Sequence, residues 1–268
     1  MQAPKSQAHL LTVIIFFSSV CQAQVTDSIP AEHKIATAIQ PKITWQIPEQ
    51  KRLFNLKSYY VPALMIAYGF TAVENDGLKK MNAEIKDEIY AEHPHRARHM
   101  DNYLQFAPAA VVYGLNAIGI KGKHNFRDRT IIYLMSNIIT NATVFSVKKF
   151  SHQLRPDGSA FTSFPSGHTA EAFANAEFLR QEYKDVSPWY GVAGYAVAAT
   201  TGYLRMYNNK HWLSDVVAGA GVGIASTKLA YWLYPKIHYK LFKDKPMNTV
   251  VMPSYKNGSF GVGMIHRF

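Results

Sequence analysis

Charge is distributed unevenly along this chain, and that limits its possible folds more than any other feature. The stretches 58–73, 102–120, 130–147 and 186–204 contain no Asp, Glu, Lys or Arg. A fifth, 216–227, is shorter and rich in Gly and Ala. Uncharged runs of this length read as helices, either buried against one another or approaching the length that spans a bilayer. Asn116, Asn137 and Asn141 interrupt them, and a mean hydropathy of −0.13 is low for a polytopic protein, so both readings stay open. A sixth helix is predicted from Thr169 to about Tyr183, although it carries Glu171, Glu177 and Arg180. Between the first two runs, Leu78, Met81, Ile85 and Ile89 fall at helical spacing among charges. That pattern is an amphipathic helix, packed on the bundle or lying on a membrane surface.

Three phosphate-friendly clusters punctuate the apolar runs. They are Lys148 with Arg155-Pro156, then Pro165-Ser166-Gly167-His168, then Arg205 with His211 and Asp215. Two arginines and a lysine can neutralise a tetrahedral dianion, the arginines through planar forks of N–H donors and the lysine as a point charge. Ser166-Gly167 precedes a predicted helix, and a helix N-terminus offers unpaired N–H groups and a positive dipole end to phosphate. His211 and Asp215 are four apart and share a helix face. A carboxylate bonded to one imidazole nitrogen fixes the tautomer and frees the other nitrogen to attack. His168 is placed to protonate the leaving oxygen. The chemistry these residues suggest is phosphoryl transfer to a histidine, followed by hydrolysis.

Lys148-x6-Arg155-Pro156, Pro165-Ser166-Gly167-His168 and Arg205-x5-His211-x3-Asp215 together resemble the three-part signature of the type 2 phosphatidic acid phosphatase (PAP2) superfamily. That family includes lipid phosphate phosphatases, bacterial acid phosphatases and vanadium haloperoxidases. The resemblance covers roughly residues 56–240. It implies an all-α fold, a six-helix bundle. It also implies His211 as nucleophile, Asp215 as its orienter and His168 as general acid. Lys148, Arg155, Ser166, Gly167 and Arg205 are the implied phosphate binders, with no metal and no cofactor. The family usually has Ser before the third-motif arginine, where this chain has Leu204; the change removes a hydroxyl but no charge.

The flanks add a cellular expectation. Residues 1–23 read as a secretory signal, with Lys5, an apolar run over 10–20 and Cys21-Gln22-Ala23. Lipid attachment at Cys21 is the alternative, disfavoured by Val20. Cys21 is the only cysteine, so thiol catalysis and Cys-based zinc sites drop out of the mature chain. Residues 24–55 are polar, broken by Pro30, Pro41 and Pro48, and read as a flexible lead-in. An export signal places the segment before the first helix outside. In six-span members of the family that segment lies inside, so either one helix does not span or the bundle sits in or on the membrane's periplasmic side. The basic segment 121–129, with Lys121, Lys123, Arg127 and Arg129, suggests a cytoplasmic loop in a spanning arrangement. His93, His95 and His99 lie near Arg96 and Arg98. They admit a metal, an anion-gripping or a plain loop reading. The tail 241–268 alternates Phe260, Val262, Met264, His266 and Phe268 after Lys256-Asn257-Gly258, a β-hairpin pattern.

A net charge of +11 fits an anionic membrane surface or anionic substrate, and no nucleic-acid recognition motif is present. The leading expectation is an exported, membrane-associated, periplasm-facing phosphatase acting on an anionic envelope phospholipid or lipid A. A soluble, broad-specificity periplasmic acid phosphatase, a vanadate-dependent haloperoxidase and a dead lipid-binding relative are the rival readings.

Overall fold

The computed structural model describes residues 55–93, 95–242, 249–256 and 259–266. The export signal, Cys21 and the lead-in up to residue 54 lie outside these described residues, as does the turn at 257–258. A 3-10 turn, Leu56–Tyr59, leads into α1 (Tyr60–Glu74). Then follow α2 (Asp76–Lys86), α3 (Asp101–Leu104), α4 (Ala107–Ala117), α5 (Phe126–Ser151), α6 (Gly167–Tyr183), α7 (Pro188–Tyr207) and α8 (Leu213–Phe242). Strands β1 (Thr249–Lys256) and β2 (Ser259–His266) pair antiparallel, with Thr249 opposite His266 and Lys256 opposite Ser259.

The described residues thus form eight α-helices rather than the six of the implied bundle. The amphipathic segment makes α2, helical through Lys86 and continued as one π-helical turn, Asp87–Ala91. The uncharged run 102–120 does not form one helix. Asp101–Leu104 is separate from α4, which opens with Pro108 in its first turn. Proline belongs there because it lacks the N–H that an interior position must donate.

Side-chain caps set the main boundaries. Asn125 Oδ1 accepts from Asp128 N at 2.9 Å to start α5, and Ser187 caps α7 ahead of Pro188. His152, at φ 42°, adopts the left-handed conformation that ends α5. Helix α6 is central. It packs on α4, α5, α7 and α8, and α8 packs in turn on α1 and α5. A cluster including Val112, Ile132, Phe178, Tyr183, Tyr231 and Tyr234 fills the bundle where α6 ends. Glu182, fully buried there, accepts from Tyr231 Oη (2.7 Å) and Arg129 Nε (3.2 Å) and pairs with His124 Nδ1 (2.7 Å). That satisfies a charge which would otherwise be costly to bury.

At the opposite end of α6 the spacing is set by glycine. A Cβ on Gly219 would lie 2.6 Å from Ser166 O, and one on Gly223 2.1 Å from Ala170 O. Only the missing side chain lets α8 approach the first turns of α6 this closely. Gly223→Ala therefore pushes α8 off α6 and should cost at least about 1–3 kcal/mol, read as a lowered thermal unfolding midpoint. Gly114→Ala, in α4 with nothing within 4 Å of the added Cβ, should leave stability unchanged or raise it by about 0.4–1 kcal/mol.

Candidate active site

One end of the bundle gathers the last turns of α5 and α7 and the first turns of α6 and α8. Lys148 lies in the last turn of α5 and Arg205 in that of α7. Gly167 and His168 open α6, and His211 lies two residues before α8. The arrangement follows helix electrostatics. Cations sit where carbonyls crowd, and two N-termini turn their N–H groups toward the same region.

Asp215 is the hub. It is fully buried, and its Oδ2 accepts from Trp212 N at 2.9 Å and from the Ser163 hydroxyl. The same oxygen lies 3.3 Å from His211 Nδ1. Its backbone carbonyl accepts from Ser166 N at 3.0 Å. One residue thereby joins the second and third motifs and the loop between the first two. With Nδ1 turned to the carboxylate, His211 presents Nε2 on the opposite edge of its ring. Burial pushes the His211 imidazole down to about 4, against the upward pull of its hydrogen bond to Asp215.

The loop carrying Arg155 is held from both sides. Arg155 N donates to Ala160 O at 3.0 Å, and Trp212 Nε1 donates to Leu154 O at 2.9 Å. Asp157 pairs with Lys210 at 2.6 Å and caps the turn through Ser159, so it serves the loop and no site arginine. Lys148 Nζ donates to Ser163 O at 3.1 Å and also to Thr162 O. Arg205 is 8% exposed and donates through one terminal nitrogen to Asp101. The Nε atoms of Arg155 and Arg205 are buried with no hydrogen-bond partner. Two guanidinium N–H groups withdrawn from water and left unpaired are costly.

His168 is half-buried, with Nε2 2.9 Å from Asn102 Oδ1. Burial pushes its imidazole down to about 4. Arg205 adds to the depression, Asp101 opposes it, and Arg155 and Lys148 add further. His211 likewise feels Arg205 and Lys148, so these two cations act on both imidazoles. Gly167 opens α6, where helical N–H groups lack intrahelical partners. Ser166 is placed differently from a phosphate ligand. It is fully buried, its Oγ accepts from Thr169 N at 3.4 Å, and it lies 2.8 Å from Thr169 Oγ1. Its hydroxyl is committed to the helix cap.

Asp101, Asn102 and Ser163 were not among the sequence candidates. Ser163 sits three residues before Ser166 with no motif to mark it, and Asp101-Asn102 sits some forty residues upstream of the first motif. The histidine-rich segment is tied down locally. His95 stacks on Tyr207, centroids 3.5 Å apart, with Nε2 2.7 Å from Tyr207 O. His93 Nδ1 lies 2.9 Å from Glu88 O.

Residues 129–239 match the PAP2 superfamily. The lipid A 1-phosphatase of Porphyromonas gingivalis is 40% identical over 154 residues, covering 54% of this chain and 35% of that protein. The lipid A 4'-phosphatase of Bacteroides thetaiotaomicron is 33% identical over 84 residues, covering 31% of this chain and 36% of that protein. The chain thus spans about a third of the length of the curated relatives it matches. Two crystal structures are similar over part of the chain. Aquifex aeolicus LpxE shows a TM-score of 0.44 and 21% identity, covering 56% of this chain and 94% of that one. The first transmembrane PAP2 type phosphatidylglycerolphosphate phosphatase from Bacillus subtilis shows 0.46 and 19%, covering 69% and 100%. The segment that holds all three motifs, residues 129–239, is therefore a PAP2 superfamily domain.

Proposed function

We propose that the chain is a phosphatase that removes phosphate from an anionic envelope lipid through a phosphohistidine intermediate. The observation that carries this reading is the His211–Asp215 pair, with Lys148 and Arg205 near enough to act on both His211 and His168, and Arg155 on His168. Nε2 of His211 attacks phosphorus, and the phosphorus–ester oxygen bond breaks. His168 gives its proton to the departing alkoxide, while Asp215 stabilises the imidazolium formed at His211. Water then attacks the phosphohistidine, His168 takes up its proton, and inorganic phosphate leaves. Lys148, Arg155, Arg205 and the Gly167 end of α6 hold the equatorial oxygens. Ser166 contributes by capping that helix.

The surface supports a lipid substrate. Helix α5 is apolar and long enough to cross a membrane, yet only 22% of its most apolar window is buried within the protein. The corresponding figure for α8 is 61%, as befits a core helix. Leu134, Ile138 and Phe145 of α5, 54–68% exposed, share one outward face. Tyr60, Val61 and Leu64 of α1 are similarly exposed. Exposed apolar surface of this kind marks a membrane contact and favours this reading over a freely soluble acid phosphatase. The names of the two curated relatives support lipid A as the first substrate to test. The signal-like N-terminus supports a site facing the periplasm.

A panel of lipid A, undecaprenyl pyrophosphate, phosphatidylglycerol phosphate and phosphatidic acid should identify at least one lipid from which the purified protein releases phosphate. No release from any of them would refute the lipid assignment. On the active lipid, His211→Ala should abolish turnover while keeping substrate binding. Asp215→Asn should lower kcat by about a thousandfold or more.

The histidines set the pH profile. A nucleophile with its pKa lowered to about 4 stays neutral above that pH and is lost below it. The acid limb of kcat/KM should therefore fall near pH 4 rather than near the usual imidazole value of about 6.5. His168 is also neutral in the empty site, so the catalytic proton enters with the phosphate monoanion. It moves to His168 once the anion raises that imidazole's pKa. The alkaline limb should follow the substrate's second ionisation, at about pH 6.

A further inference from the structure

We propose that Asp101 and Asn102 form a fourth functional element of this site, Asp101 positioning Arg205 and Asn102 positioning His168. The inference rests on the phosphatase reading for its mechanistic meaning, but it stands on contacts of its own. Two adjacent residues of one short helix reach the two groups that differ most in task, a guanidinium for phosphate and an imidazole for the leaving oxygen. Asp101 is fully buried and accepts from Arg205. This fixes one branch of the fork and leaves Nε, buried and unpaired, as the donor for an anion. Asn102 Oδ1 lies 2.9 Å from His168 Nε2.

The helix bearing this pair is anchored on both sides. Asn208, just past α7, donates to Arg98 O at 2.7 Å and accepts from Arg98 N at 2.8 Å. Asn208 Nδ2 also lies 3.5 Å from Asp101 Oδ1. Gln105 donates to Asn102 O at 2.9 Å, and its own carbonyl accepts from Asn175 of α6 at 2.8 Å. The pair is thus tied to the same two helices whose ends carry Arg205 and His168.

The chemistry gives each residue a distinct role. A carboxamide oxygen only accepts. It therefore pairs with His168 Nε2–H in both the neutral ring and the imidazolium, and Nδ1 becomes the nitrogen that gains and loses the proton. A carboxamide also does this without adding charge to an environment already set by Arg205, Arg155, Lys148 and Asp101. Asp101 restrains a side chain that would otherwise lose rotamer freedom on each binding event.

Nitrogen-resolved NMR of the His168 ring and calorimetric binding of inorganic phosphate test the two halves in the detergent-solubilised full chain. Wild type should show the Nε2–H tautomer at neutral pH. Asn102→Ala should shift the population toward Nδ1–H, and Asn102→Asp should move the His168 titration upward by about one pH unit or more. An unchanged tautomer and midpoint in both variants would overturn the Asn102 assignment. Asp101→Asn removes a negative charge from a phosphate-binding site, so an effect of charge alone would tighten binding. Loss of positioning should instead weaken phosphate binding about tenfold or more. Equal or tighter binding in that variant, or no phosphate binding by wild type, would overturn the Asp101 assignment. With an active lipid, Asn102→Ala should lower kcat about 10–100-fold with KM little changed. A wild type that hydrolyses no lipid defeats the phosphatase reading while leaving the tautomer and phosphate-affinity results to decide this one.

Discussion

The buried carboxylate of Asp215 is the contact on which the rest of the site depends. A charge withdrawn from water must be met by donors, and here they come from separate segments. The Ser163 hydroxyl comes from the loop before α6, while the backbone N–H of Trp212 and the ring of His211 come from the turn before α8. Its main-chain oxygen takes the Ser166 N–H. Meeting Oδ2 of one carboxylate, whose Oδ1 stays buried without a hydrogen-bond partner, therefore sets the register of the second and third motifs relative to each other. The same contacts leave the His211 ring with a single free edge.

Around that hub the bundle uses helix ends as electrostatic parts. Lys148 and Arg205 occupy last turns, where positive charge is favourable. The starts of α6 and α8 supply N–H groups on the other side. Close approach of these ends requires side chains to be absent at Gly219 and Gly223, because a methyl group there would collide with the backbone of α6. At the far end, Glu182 plays a comparable organising part with Arg129, His124 and Tyr231, away from the reacting groups.

Nearly all the charged residues of the site were legible in the chain because they lie in compact motifs with fixed spacing. Lys148, Arg155, His168, Arg205, His211 and Asp215 could each be named before any geometry was known. The capping part of Ser166 was not legible. A serine before a helix can turn its hydroxyl outward to an anion or inward to its own helix, and spacing does not distinguish the two. Helix count was misjudged where a single uncharged run concealed a break, since absence of charge says nothing about the turn at Gln105 and Phe106 that separates α3 from α4. Asp101 and Asn102 carried no signal, because their partners lie more than sixty residues away.

The amino-acid order by itself determined the helical class, the three basic clusters and the pairing of His211 with Asp215, all of which follow from periodicity and short-range spacing. Only the tertiary structure decided which helix ends meet, which buried donors remain unpaired, and that α5 turns its apolar face outward while α8 turns inward. Those are outcomes of packing between segments far apart in the chain, where the energy lies in contacts that no local pattern encodes.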